Sequence, residues 1–190
     1  MKLIARLTAA TAILATTTLS AETAPNPNVE EAKGIIKEFA TTLQGELQAA
    51  IKEGGPTNAI AVCQDRAPAI ATDLSERSGW QVGRTSLKTR NTADNTPDAW
   101  EQEVLVDFDA RRAAGEDVQP MAYAAVVETA DGKTFRFMKA IPTGEVCLAC
   151  HGSDITPEVA AAIDERYPED TARGYSLGDV RGAFTLSKPL

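Results

Sequence analysis

The chain has a single histidine, three cysteines and only 5% aromatic residues in a length of 190. One imidazole excludes any site built from two histidines of the same chain. Three thiols cannot all pair, so a fold stapled by disulfides is excluded. Basic residues are also short. Lys and Arg number 19 against 27 Asp and Glu, which makes a formal charge of −8 and a pI near 4.8. Duplex nucleic acid and anionic membrane surfaces repel a net anion, so neither is the main partner. No apolar run reaches the ~20 residues that cross a bilayer as a helix. What is present is a globular balance, 43% hydrophobic and 24% charged. The length suits one domain with its own core and is too short for two ordinary ones.

The first residues read as an address. Lys2 and Arg6 precede an apolar stretch from Leu7 to about Leu19, which ends in Thr18-Leu19-Ser20-Ala21. A positive start, a short apolar middle and small residues at its end mark a secretory signal peptide over residues 1–21. Cleavage removes Lys2 and Arg6 and leaves 17 basic against 27 acidic residues, a charge of −10. The implied destination is the periplasm or the cell exterior, with no membrane span left after cleavage. That compartment is oxidising, so free thiols there need a reason. Residues 22–28 are rich in Pro and Asn and read as a flexible leader, with one domain over 29–190.

Apolar residues at Ile35, Ile36, Phe39, Leu43, Leu47 and Ile51 predict an amphipathic helix from about Val29 to Lys52, stopped by Gly54-Gly55-Pro56. Thr57 or Asn58 then caps a second helix carrying Val62, Cys63, Ile70 and Leu74, with Pro68 placed to kink it. Gln81 to Asn95 is polar and basic and reads as an extended loop. A third helix starts at Thr96-Pro97-Asp98 with Pro97 in its first position and puts Trp100, Val104 and Phe108 on one core face. Two strands, Met121 to Thr129 and Lys133 to Ile141, flank Ala130-Asp131-Gly132, a hairpin signal. A helix over Pro157 to Arg166 and a strand over Val180 to Lys188 follow. Helices first and antiparallel strands later make an α+β domain.

One motif carries chemistry. Cys147-Leu148-Ala149-Cys150-His151 is C-x-x-C-H, the attachment pattern of c-type haem. Two thiols three positions apart can each add to one vinyl group on the same edge of a porphyrin. The adjoining His then places an imidazole nitrogen under the iron. A thioredoxin-like reading of Cys147 and Cys150 lacks its βαβ context. A zinc site would need one more ligand than this cluster holds. A disulfide between the two cysteines without haem is the plain structural reading.

With no second His, the sixth iron position falls to Met121, Met138, Cys63, a Lys or Tyr, water, or nothing. Met is the commonest partner of His in electron carriers. Both methionines, however, sit in the expected hairpin strands, where a core role is ordinary. Cys63 lies on an apolar helix face, as a buried small hydrophobe would.

Several stretches, taken together, resemble a known family. They are Arg84-Thr85-Ser86-Leu87-Lys88-Thr89-Arg90-Asn91, Trp100-Glu101, and the haem motif with Gly152. Further on come Tyr167-Pro168-Glu169-Asp170-Thr171-Ala172-Arg173-Gly174-Tyr175 and Gly178-Asp179-Val180-Arg181-Gly182-Ala183. The chain resembles single-haem, c-type, PAS-like domains. These occur as stand-alone periplasmic or lumenal proteins, including a cyanobacterial haem protein, and as sensory modules of bacterial signalling proteins. The resemblance implies a PAS-like antiparallel sheet with N-terminal helices and one covalent haem c. It also implies iron held by His151 and by a thiolate that matches Cys63.

Arg84, Lys88 and Arg90 form a basic cluster that could pair with the two haem propionates. Tyr167, Arg173 and Tyr175 follow the motif closely and could line the pocket. The expected function is a secreted haem protein, a redox or gas-ligand sensor or a low-potential electron carrier, and not an enzyme. The partners expected are a redox or signalling protein and a diatomic gas. The rival from another class is a small haem peroxidase. It wants an open iron and a distal acid–base group, and the sole His is already used.

Overall fold

The structure is a computed structural model that describes residues 26–130 and 132–190. The signal peptide expected over 1–21 and most of the leader expected over 22–28 lie outside the described residues. Helix α1 (Pro27–Ala61) starts with Asn26 as its cap, so it begins two residues earlier than expected and takes in the end of that leader. Gly54 and Gly55 are not helical, and Gly55 has φ +73°, a left-handed value that glycine adopts without strain. The expected stop is thus a break inside one long run. Thr57 and Asn58 do not cap the segment that follows. Their side chains donate backwards, to the carbonyls of Gly54 (3.4 Å) and Ala50 (3.1 Å), and close the end of the segment before the break.

After α1 comes a π-helical turn, Val62–Arg66, and then α2 (Ala67–Ser78). Pro68 stands at the start of α2 and not in its middle. Its missing N–H falls where the helix needs none, and the widened turn just before it takes up the misfit. The stretch expected as a loop after α2 holds a strand, β1 (Gln81–Thr85), and one short helical turn, α3 (Thr92–Asn95). The strand was not legible because it alternates poorly. Pairing with the last strand creates it. Helix α4 (Ala99–Ala113) is capped by Asp98, with Glu101 completing a reciprocal capping box. Pro97 therefore precedes the cap and is not the first helical residue.

The hairpin strands are β2 (Ala122–Thr129) and β3 (Gly132–Pro142), with Thr129 opposite Gly132. Helix α5 (Glu145–His151) and α6 (Pro157–Arg166) lead to β4 (Val180–Pro189). The four strands form one antiparallel sheet in the order β1-β4-β3-β2. Helices α1 and α2 cover one face, where Phe39, Ile70, Leu74 and Trp80 meet Phe135, Phe137 and Phe184. Helix α4 covers the other face, where Val104, Leu105 and Phe108 meet Met121, Met138 and Ala183. Each fully buried large apolar side chain contributes about 1.5–3 kcal/mol. A third, smaller cluster ties Ile60 of α1 to Val159, Ile163 and Tyr167 beside α6. Among the described residues no helix is long and apolar enough to cross a membrane.

Glu101 joins α4 to the sheet. Its carboxylate accepts from the Asp98 N–H (3.0 Å), Arg136 of β3 (3.1 Å) and the Thr185 hydroxyl of β4 (2.6 Å). Glu101→Ala should cost about 2–3 kcal/mol, because it removes half of the capping box, the acceptor of the Thr185 hydroxyl and one of the two carboxylates on Arg136, which keeps Asp98 at 2.7 Å. Glu101→Gln should cost less than half of that. Urea unfolding followed by circular dichroism measures both, and equal losses would show that the carboxylate charge, and not its shape, is what counts at this position.

Candidate functional site

Cys147, Cys150 and His151 all ride on α5. Positions three and four apart share one helix face, so the two thiols and the imidazole point the same way. All three cysteines of the chain are unpaired, so the disulfide reading of Cys147 and Cys150 does not hold in this structure. The end of α5 is tied down by backbone bonds from Tyr175 N–H to the His151 carbonyl (3.0 Å) and from Gly174 N–H to the Gly152 carbonyl (3.1 Å).

Arg90 fastens the same end from inside. It is buried, and it donates to the Cys150 carbonyl (2.6 Å), the Ala172 carbonyl (3.3 Å) and both oxygens of Asp170 (3.0 and 3.3 Å). The Thr171 N–H donates to the Thr89 carbonyl at 2.9 Å, so the basic stretch and the segment after α6 are joined side by side. Arg90, expected as a cation for propionates, also lines the cavity described next, but it is not a free cation. Its Nε and one terminal nitrogen are spent on holding the motif.

The His151 Nδ1–H donates to the Ala172 carbonyl at 2.7 Å. That bond sets the tautomer and leaves Nε2 with its lone pair. Burial above all, then the charges of Arg181 and Arg90, pulls the imidazole down to about 2, so it is neutral at any ordinary pH. Tyr175 packs edge-on against the ring, with centroids 6.3 Å apart. It stands behind His151 and is not among the residues that line the cavity described next.

That cavity, ≈ 770 Å³, opens between α1, the sheet and α5. Cys147, Cys150, His151 and Cys63 all line it. Cys63 sits in the π-helical turn. Cys150 is pushed up, by burial first, and the charges it senses include those of Cys63 and Cys147. Cys63 is therefore close to the motif. Met121 and Met138 are fully buried in the core beneath α4, with no face on the cavity, which removes both as candidates for an iron ligand.

Arg84 and Arg181 reach the cavity from β1 and β4. Burial lowers the pKa of both guanidiniums, and neither has an acidic partner among the described residues. The Arg84 guanidinium stacks 5.6 Å from the Phe39 ring and senses Cys63 and Tyr167. The Nε of Arg181 is buried with no hydrogen-bond partner. Tyr167 also lines the cavity, and burial pushes its hydroxyl up to about 12. No described Asp or Glu lines this space, although the chain carries 27 of them. Lys88 lies outside, over the Tyr175 ring. Arg173 is spent on Asp164 and Asp170.

Sequence reasoning quoted Arg181 without giving it a role. The signal was a cation beside Gly182 at the head of a core strand. Gly182 has φ +154°, and a Cβ there would meet the Thr85 carbonyl at 2.4 Å, so the strands close over Arg181 only because this residue is glycine. The helix around the motif and the π-helical turn at Cys63 left no signal in residue pattern.

Comparison with known proteins fits this arrangement. The Tll0287-like family model matches residues 6–189. The chain belongs to the Tll0287-like family. Among solved structures it is similar to the cyanobacterial heme-protein Tll0287, with a TM-score of 0.65 and 25% identity over 86% of this chain and 96% of that one. No curated protein matches the chain.

Asp170 is the member of this site most open to test. Burial alone would raise its pKa, but hydrogen bonds from Arg90 and Arg173 outweigh burial and lower it. Its contribution to stability is therefore complete above the unfolded pKa near ~4 and fades as pH falls below that. Asp170→Asn should cost about 3–5 kcal/mol at neutral pH by leaving Arg90 buried and unpaired. The gap to wild type should narrow in urea titrations run below about pH 4. A loss independent of pH would show that the Asp170 charge is not what holds Arg90.

Proposed function

We propose that this protein is an exported single-haem c-type haem protein that works as a redox or gas-ligand sensor or as a low-potential electron carrier. One observation carries the reading. The two motif thiols, the bare Nε2 of the only histidine and the third thiol face one large cavity that is cationic and, among the described residues, free of carboxylates. That donor set suits a flat dianionic tetrapyrrole. Cys147 and Cys150 would hold it by thioethers, and His151 and Cys63 would hold its iron. Arg84 and Arg181, half-buried and without acidic partners among the described residues, suit its propionates. Kinship with a family that includes a cyanobacterial haem protein supports the same reading.

Bound haem supplies a one-electron ferric–ferrous couple and a position for a diatomic gas. The rest is done by the chain. The Ala172 carbonyl holds the His151 ring in one tautomer and one orientation. Arg90 keeps α5 in place from behind. Arg84 sets a positive charge near the Cys63 sulfur. A thiolate neutralises ferric charge better than ferrous charge, which argues for a low potential. Cys63 is the residue whose release of the iron would make a sensor of a carrier.

An enzymatic role of the peroxidase kind is disfavoured on the chain's own groups. Such a reaction needs a distal group that trades protons near neutrality. The cavity offers no carboxylate among the described residues, its only imidazole is spent, and the Tyr167 hydroxyl is held far above neutrality. The positive start and apolar stretch before Ala21 support export.

Two measurements test the proposal. The denatured protein, matured in a cell that attaches haem c, should carry the mass of one haem bound through Cys147 and Cys150. Apoprotein mass alone would overturn the covalent reading. Cys63→Ala should abolish low-spin thiolate features in the ferric spectrum and raise the potential by on the order of 0.1 V, within the span that axial ligands command. It should also let external ligands bind the ferric form. An unchanged ferric spectrum would return Cys63 to the role of a packing residue.

A further inference from the structure

Charges on α1 are sorted by side. Glu38 pairs with Arg77 of α2 (2.6 Å), and Glu31 with Lys188 of β4 (3.1 Å). Lys33 and Lys37 turn the other way and line the cavity mouth with Lys139 of β3. Lys33 shares one exposed ion pair with Glu30 (2.8 Å). Such a pair is worth little in water. Lys37 has no hydrogen bond or ion pair among the described residues. Lys139 donates to the Gln119 carbonyl (2.6 Å). Burial first, then the charge of Lys33, pushes Lys139 below the usual lysine range, so the two ammonium groups are near enough to repel.

The lysines border an uncovered piece of sheet. Ala122 lies opposite Lys139 on β2, the outermost strand. Ala124 and Val126 continue the same face along that strand, and both are exposed, Val126 by 53%. The strip ends at Glu128, opposite Lys133. No charged residue stands between Ala122 and Val127. Natural edge strands are commonly guarded by charge, and this one is not. An apolar strip with a charged rim is the anatomy of a protein interface. Here the rim is opposite in sign to a chain of charge −8.

We propose that this edge, with Lys33, Lys37 and Lys139 around Ala124 and Val126, docks an acidic redox partner protein. Carboxylates of the partner meet the three lysines, and its apolar side chains cover the β2 strip. The positive rim steers such a partner to the cavity mouth against the repulsion of the remaining surface. Only the word redox rests on the haem reading above.

The test uses the full chain, its haem content read by mass, and hexaglutamate as the probe, followed by NMR at low and at physiological ionic strength. Shifts should gather at the three lysine side chains and at the amides of residues 122–126, and affinity should fall as salt rises. Lys37→Glu should weaken binding roughly fivefold. Lys52→Glu, on the same helix but outside the cavity, should leave it unchanged. Equal weakening by both variants, shifts spread over the surface, or the same shifts with hexalysine would overturn the proposal. Acetate alone reproducing the shifts would make this a small-anion site and overturn docking as well. Absence of haem mass would sink the haem reading, while the peptide comparison would still judge the surface.

Discussion

Arg90 and Asp170 meet at 3.0 Å with 8% and 1% of their side chains exposed, and three pieces of chain converge on them. The basic stretch after β1 supplies the arginine. The segment after α6 supplies the aspartate and the Ala172 carbonyl. Helix α5 supplies the Cys150 carbonyl, which would otherwise be an orphaned acceptor at a helix end. His151 then leans on the same Ala172 carbonyl. Removing the Asp170 charge leaves Arg90 buried without an acidic partner, and removing Arg90 leaves Asp170 with Arg173 alone. The orientation of the only imidazole thus depends on an ion pair whose members lie 80 residues apart.

Around that anchor the protein keeps an inverted electrostatic interior. The chain is acidic, yet the cavity beside the motif is lined by cations and by no described carboxylate. Burying Arg84 and Arg181 without acidic partners costs stability, as their lowered pKa values indicate. A fold departs from local rules of this kind mainly at functional sites, where a ligand supplies the missing charge. The buried, unpartnered Nε of Arg181 is the sharpest case. The same excess of cations reaches the cavity mouth, where Lys33, Lys37 and Lys139 meet the open edge of the sheet.

Much of the scaffold was legible in residue order. The period of Ile35, Phe39, Leu43 and Leu47 marks α1, and α6 falls on the predicted residues from Pro157 to Arg166. The α+β class and the antiparallel hairpin followed from pattern and turn chemistry. Where reading failed, a distant partner decided. β1 is a five-residue edge strand with Gly83 and Arg84 at its centre, and its ladder to β4 reaches across about a hundred residues. The cap at Asp98 won over Pro97 because a carboxylate that accepts the Glu101 N–H satisfies an orphan donor, and a proline cannot.

By itself the sequence determined the chemistry available: two thiols and the one histidine at helical spacing, a third thiol far away, and a surplus of acid. These are properties of composition and of near neighbours, which a linear string records. Only the tertiary structure decided their use. It drew Cys63 to the same cavity as the motif, sent Met121 and Met138 into the core, and spent Arg90 on scaffolding. It also brought forward Arg181, which residue order gave no reason to choose. Each of those outcomes turns on which side chains share a low-dielectric space, and that is settled by packing between segments remote in the chain.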